Sequence, residues 1–288
     1  MGRGWLRAWG ILARVENLPV VTLSAADLSE CTRLAVSREW GAEEAKWRFL
    51  FEVGTVFGIR HPVDGVIGTV VLTWFGARDA GISMVLVAEA HAGRGYGRRL
   101  MEHAMAAAGD ATLSLYATDI GRPLYSKLGF AVDFVNTMHR GRFTGAASGV
   151  SSLDFALDEV LELDRVVTGV DRSAVLRAYV GFASRVRVLR RAGEVVGYAG
   201  MWRNDTDDVI GPVVAPSSDD ACALIGDLAA ESGLTVRVEV HEKHVELGRW
   251  AEASGLSVVG QTSFMVFGGR VMPGDRGRWF GPIMQALG

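Results

Sequence analysis

Three alternating glycines in Gly93-Arg94-Gly95-Tyr96-Gly97, followed by Arg98, are the strongest chemical signal in the chain. Glycine opens backbone dihedrals that other residues avoid and lets a ligand come close to the main chain. The apolar run Val85, Leu86, Val87 is separated from the first of them by five residues. Leu100, Met101, Ala104, Met105 and Ala108 follow on one helical stripe. Strand, glycine loop and helix start in that order aim unpaired N–H groups at one spot, which suits an anion such as a pyrophosphate. Arg94 and Arg98 add charge-assisted donors. On spacing alone, a glycine-rich turn with no ligand is the alternative. Neither a G-x-G-x-x-G register nor a G-x-x-x-x-G-K-[ST] string occurs, which argues against dinucleotide-binding and P-loop readings.

Two other clusters attract attention and carry less. His241-Glu242-Lys243-His244 spaces its histidines as H-E-x-H, not as the H-E-x-x-H of a zinc helix, and it follows a strand-like run, so no metal is expected. Cys31 and Cys222 lie 191 positions apart, which gives neither a disulfide framework nor a zinc spacing, and both read as buried small hydrophobes.

The elements that position the glycine loop alternate in type. Residues 20–23 read as a strand, and Ser24-Ala25-Ala26-Asp27 as a capping box opening a helix towards Arg38. A helix over 42–53 precedes strands at 55–60, 66–74 and 82–87. After the glycine helix come strand 112–117, helix 123–128 stopped by Gly129, and strand 130–138. The remainder repeats this order: helix 171–178, hairpin 186–190 with 195–201, strand 208–214, helix 219–230, strand 234–241, helix 245–253 and strand 256–267. Repetition of element order without residue-level similarity suggests two related domains, divided in the Gly/Ser-rich stretch 145–152.

Composition bounds what these elements can do. The chain has 288 residues, 49% hydrophobic and 22% charged, which is ordinary for a folded protein of about two domains. No apolar run is long enough to span a bilayer, and residues 5–13 are broken by Arg7 and short for a signal peptide. The reading is therefore cytoplasmic, without a membrane partner. Before residue 145 there are 16 Lys and Arg against 14 Asp and Glu; after residue 152 there are 14 against 19. The halves are near +2 and −5, and neither suggests a nucleic-acid binder.

Two of these segments resemble the GCN5-related N-acetyltransferase (GNAT) family. Leu86-Val87 with Ala92-Gly93-Arg94-Gly95-Tyr96-Gly97-Arg98 is similar to its Q/R-x-x-G-x-G/A acetyl-CoA motif, with Ala92 in place of Gln or Arg. About 30 residues on, Gly121-Arg122-Pro123-Leu124-Tyr125-Ser126-Lys127-Leu128-Gly129-Phe130 resembles the family's lYeklGF motif. The resemblance implies an α/β (α+β) fold of two tandem GNAT-like domains, 1–147 and 148–288. Each would be a mixed, mostly antiparallel sheet flanked by helices. It also implies acetyl-CoA as co-substrate. The backbone of Val85, Leu86 and Val87 would pair with the pantetheine arm and polarise the thioester carbonyl. Gly93, Arg94, Gly95, Tyr96, Gly97 and Arg98 would hold the pyrophosphate. Thr118 stands where a cofactor-bonding Asn is frequent, and Tyr125 is the implied general acid for the CoA thiolate. Glu52, Glu89, His91 and Asp119 are open candidates for the base, and proton loss through water needs none of them.

The second half departs from the pattern. After Val213-Val214 comes Ala215-Pro216-Ser217-Ser218-Asp219-Asp220, with two acids where phosphate would sit, and Ala251 replaces the motif tyrosine. An intact first domain beside a degenerate second resembles a tandem GNAT subgroup. The expected activity is acetyl transfer to a small primary amine, with the acidic second half beside the acceptor. An acyl-CoA sensor without catalysis and an enzyme acting on protein amines are the alternatives.

Overall fold

A computed structural model describes residues 18–287. Residues 5–13, too short and too broken to read as a signal peptide, lie outside them. By its contacts the chain divides into two compact units, one running to Leu72 and including Ile82–Gly109, the other formed by Thr73–Gly81 with 110–288.

The first unit contains β1 (Val20–Thr22), α1 (Leu28–Ser37), α2 (Glu44–Val53), β2 (Gly54–His61), most of β3 (Gly65–Phe75) and β4 (Asp79–Val87), and α3 (Tyr96–Ala108). The strands follow the order β1-β2-β3-β4, with β1 antiparallel to β2 at Val20↔Ile59. β3 is an apolar run buried at nearly every position, as expected of a central strand covered on both faces. The predicted stripe of α3 is buried at Leu100, Met101, Ala104 and Ala108, with Met105 at its margin. The Ser24 N–H donates to Asp27 Oδ2 at 2.8 Å, the reciprocal half of the expected capping box.

The second unit carries β5 (Thr112–Ala117), α4 (Arg122–Lys127), β6 (Phe130–Gly141), α5 (Leu157–Thr168), α6 (Ser173–Phe182), β7 (Arg185–Arg191), β8 (Glu194–Arg203), β9 (Asp207–Val214), α7 (Ser218–Ala229), β10 (Thr235–His241), α8 (Val245–Ala253), β11 (Ser257–Phe267) and β12 (Trp279–Gly281). Its strands follow β5-β11-β6-β10-β9-β8-β7, with β12 beside β9. β5 runs parallel to the first residues of β4 (Asp79↔Thr112 to Gly81↔Ser114), and β10 runs parallel to β9; β6–β10, β5–β11, β6–β11, β9–β12, β7–β8 and β8–β9 are antiparallel. The mixed, mostly antiparallel architecture matches the expectation.

Strand order holds the main surprise. β11, near the end of the chain, lies between β5 and β6, and β6 lies between β11 and β10. Each half thus sends its last long strand into pairings with the other half, and no local pattern in the sequence announces this. α5 and β12 were also absent from the sequence reading. In α5 the buried positions Val160, Leu161, Asp164, Val167 and Thr168 do follow helical spacing, but an aspartate occupies the centre of the stripe. Asp164 is tolerated because Arg172 Nε donates to it at 3.0 Å and the Tyr198 hydroxyl donates to its Oδ1.

The Gly/Ser stretch between the halves is pinned. Ser148 Oγ (3.0 Å) and the Gly149 N–H (2.8 Å) donate to Asp227 Oδ1, and the Ser151 N–H (3.1 Å) and Oγ (2.6 Å) donate to Oδ2. Burial pushes the Asp227 pKa up, yet these donors hold it net below the usual carboxylate range. Cys31 is buried as expected, whereas Cys222 is only half-buried against the core beneath α7, and burial raises both thiols to about 12.

Candidate active site

The glycine loop folds as its composition requires. Gly93 (φ 74°) and Gly95 (φ 81°) are left-handed, and Gly95 caps α3. A Cβ at either would meet no atom within 4 Å, so the space in front of the main chain is open. The first N–H with a helical partner is that of Arg99, bonded to the Gly95 carbonyl at 3.1 Å. The N–H groups of Tyr96, Gly97 and Arg98 form the first turn ahead of it, where a helix has no internal acceptors. This is an anion cradle that a diphosphate fits. The arginines are engaged locally: Arg94 Nη2 donates to the Ala90 carbonyl at 3.2 Å and Arg98 Nε to Glu102 at 2.7 Å. Tyr96 is buried beneath the loop and anchors it.

Val85, Leu86 and Val87 end β4 directly after a backbone irregularity. Met84, within the strand, sits at φ 47°, a left-handed conformation that a non-glycine residue rarely adopts. Its carbonyl accepts from the buried Thr69 hydroxyl at 2.9 Å. Leu86 is buried and its neighbours Val85 and Val87 are half-buried.

A brace unseen in the sequence holds the approach to the loop. His91 Nε2 donates to Asp64 Oδ2 at 2.9 Å, tying the 3-10 turn before the glycines to the β2–β3 turn, and the His61 ring lies 5.0 Å from that of His91. The ligand atoms of His61, Asp64 and His91 fall within 4.8 Å of one another, close enough for a shared ion. Two observations fit a hydrogen-bonded brace better than a metal site. His61 Nδ1 already accepts from the Asp64 N–H at 3.1 Å, and His91 Nδ1 is buried without the acceptor that orients a metal-bound histidine.

The second unit supplies Thr118 and Tyr125. The Thr118 Oγ1 and carbonyl accept from the Gly121 N–H at 3.3 and 3.0 Å, so its side chain helps start α4. Tyr125 is buried, and its ring folds back on Gly121, where a Cβ would lie 2.8 Å from Cε2 and 3.1 Å from the hydroxyl; only glycine fits there. Burial alone pushes the phenol up to about 12, so it keeps its proton through the neutral range.

The base candidates are each exposed or already engaged. Glu52 is exposed, Glu89 lies on the surface 4.0 Å from Arg38, Asp119 pairs with Arg122 at 3.4 Å, and His91 is committed to Asp64. His241 and His244 are structural. Their rings stack on Phe134 (4.0 Å) and Phe280 (3.9 Å), and burial lowers both pKa values, that of His241 to about 4.

In the second half, the strand edge corresponding to the end of β4 is filled by the chain itself. β9 pairs with β10 only as far as Ile210↔Val238, and beyond this β12 adds to β9 at Trp279↔Val214 and Gly281↔Val213. The turn after β9 is capped by Ser217, and Asp220 is held by Arg191 at 2.8 Å. Several acids of this half stand in ion pairs, including Glu159 with Arg190 at 2.7 Å, Arg185 with Glu231 at 3.2 Å and Arg203 with Asp208 at 2.6 Å.

A strand ending at Val87, a left-handed glycine loop opening a helix, and then β5 and α4 follow the order of elements expected of a GNAT fold. Residues 52–132 and 160–281 each match a family described as "Acetyltransferase (GNAT) domain". The chain belongs to this family, as an N-acetyltransferase with two such domains in tandem. It is 26% identical to the uncharacterized N-acetyltransferase YitH of Bacillus subtilis over 282 residues, covering 93% of this chain and 98% of YitH. Among solved structures it is similar to a Pyrococcus horikoshii protein assigned as an acetyltransferase (TM-score 0.77, 20% identity, 94% of this chain and 96% of that one). It is also similar to a tandem GNAT protein from the clavulanic acid biosynthesis pathway (TM-score 0.61, 18% identity, 87% and 98%). Among the described residues no helix is long and apolar enough to cross a membrane.

Proposed function

We propose that this protein transfers the acetyl group of acetyl-CoA to a small primary amine, with residues 1–147 doing the chemistry and 148–288 serving as a degenerate partner domain. The observation that carries the reading is the open glycine cradle at the start of α3, which a diphosphate fits and which has no counterpart after β9. The two family matches fall on either side of the proposed boundary. β12 on the edge of β9 supports the assignment of the second half, because that backbone already has a partner.

Acetyl-CoA supplies a thioester already activated for attack by nitrogen. The N–H groups of Tyr96, Gly97 and Arg98 bind phosphate, and the backbone of Val85, Leu86 and Val87 binds the pantetheine arm and polarises the carbonyl. Arg94 and Arg98 can swing from their local acceptors to phosphate, since both are exposed. Tyr125 holds its proton at the hydroxyl oxygen. Full transfer from a phenol near 12 to a thiolate of pKa ~8.5 runs uphill by about 5 kcal/mol, so the tyrosine stabilises the developing thiolate by hydrogen bonding and solvent completes the protonation. The acceptor enters as the free amine, its proton lost to water; the attacking nitrogen replaces sulfur on the acetyl carbon and sheds its second proton to solvent.

The test is CoA release from acetyl-CoA against polyamines, amino acids, aminoglycosides and peptides. Turnover with a small amine supports the proposal. Stabilisation by acetyl-CoA without release from any acceptor would turn the reading to a sensor, and turnover confined to peptides would turn it to protein acetylation.

A further inference from the structure

Thr69 on β3 makes a contact with β4 that ordinary strand geometry does not favour. In a regular ladder the carbonyls lie in the sheet and side chains stand roughly perpendicular to it, so a threonine hydroxyl is not normally aimed at the neighbouring main chain. Here the fully buried Thr69 hydroxyl donates to the Met84 carbonyl at 2.9 Å. The carbonyl is therefore turned out of the sheet towards the face that carries Thr69. Met84 stands at φ 47°, a conformation that a non-glycine residue keeps only where its surroundings hold it. A buried carbonyl without a donor is costly, and Thr69 is the donor that makes this turn tolerable.

Peptide planarity carries the turn one atom group further. The Met84 carbonyl and the Val85 N–H belong to one trans peptide and point in opposite directions. With the carbonyl held by Thr69, the Val85 N–H points away from β3. β4 pairs with β5 over Asp79–Gly81, short of Val85, which leaves that edge of the strand to a ligand. Three residues on, the Ala88 N–H donates to the Ile67 carbonyl at 2.8 Å, so the end of β4 is fixed to β3 on both sides of Val85, Leu86 and Val87. Resting on the acetyl-transfer reading above, we propose that Thr69 is a positioning residue that holds the Met84–Val85 peptide so that the Val85 N–H donates to the thioester carbonyl of acetyl-CoA. Without the hydroxyl, Met84 relaxes towards an ordinary strand conformation and the N–H swings off the carbonyl, while the phosphate cradle at residues 93–98 is untouched.

The test is isotope-edited infrared spectroscopy of acetyl-CoA labelled with carbon-13 at the thioester carbonyl, with affinity measured by calorimetry and folding by the melting curve. In the parent the bound carbonyl stretch falls below its frequency in free acetyl-CoA, as hydrogen bonding weakens the bond. Thr69→Val keeps the shape but not the hydroxyl; it should lose most of that fall while binding acetyl-CoA within about threefold of the parent, because the phosphate contacts remain. Thr69→Ser restores the donor and should regain the fall. Thr73→Val is the matched control: Thr73 is also fully buried on β3, and its hydroxyl has no hydrogen-bond partner among the described residues, so the same atom is lost away from Met84 and the spectrum should stay that of the parent. If Thr69→Val does not fold, the parent decides: with nitrogen-15 valine, the Val85 amide proton should move downfield with acetyl-CoA and not with CoA. A carbonyl stretch unmoved by Thr69→Val or moved equally by Thr73→Val, or a Val85 amide blind to the acetyl group, would overturn the positioning role and leave the acetyl-CoA reading standing. Failure of the parent to bind acetyl-CoA would overturn both.

Discussion

At the residue scale the account rests on Tyr125 and on what burial does to it. The motif was legible in sequence; the depth of burial and the close approach to Gly121 were not, because both depend on how α4 packs. Tyr125→Phe removes the donor but keeps the ring. Steady-state kinetics should show kcat lowered about 100-fold with KM for acetyl-CoA within about twofold. The pH profile follows from the same burial. An amine acceptor of pKa ~10.4 becomes attacking-competent as pH rises, and Tyr125 loses its proton only near 12. kcat/KM should climb about tenfold per pH unit from 7 to 9 with no descending limb below 10; a fall centred near 10 would mean an unshifted tyrosine.

At the element scale, periodicity and turn chemistry made nearly every strand and helix legible. The exceptions have physical causes. α5 hides behind a buried aspartate, β12 is three residues long, and the left-handed backbone at Met84 is something nothing in a Met-Val-Leu run announces. His91 was weighed as a base, yet Asp64, 27 positions earlier, makes it a brace, and long-range pairing of this kind has no local signature. The Gly/Ser stretch read as a bare divider because the acid that orders it, Asp227, lies far along the chain on α7. Asp227→Ala strands four donors and should cost about 3 kcal/mol in denaturant unfolding. Limited proteolysis should cut the variant within 145–152, where the parent resists.

At the scale of the whole molecule, the repeat of element order was legible and the exchange of strands was not. A boundary near 147 describes the sequence, but β11 sits between β5 and β6, so the first half cannot complete its sheet alone. A fragment of residues 1–147 should be insoluble or molten by circular dichroism and recover when co-expressed with 148–288; a cooperatively folding 1–147 monomer would refute that dependence. Ion pairs hold part of the second half's acids, and its net acidic excess remains beyond them.

The central claim is one working cofactor cradle in a chain of two related domains, and calorimetric titration with acetyl-CoA tests it most directly. The account predicts one site per chain, with affinity reduced about tenfold or more in Gly95→Ala, where a Cβ meets a left-handed φ of 81°. Two sites per chain, or a single site indifferent to that substitution, would contradict it.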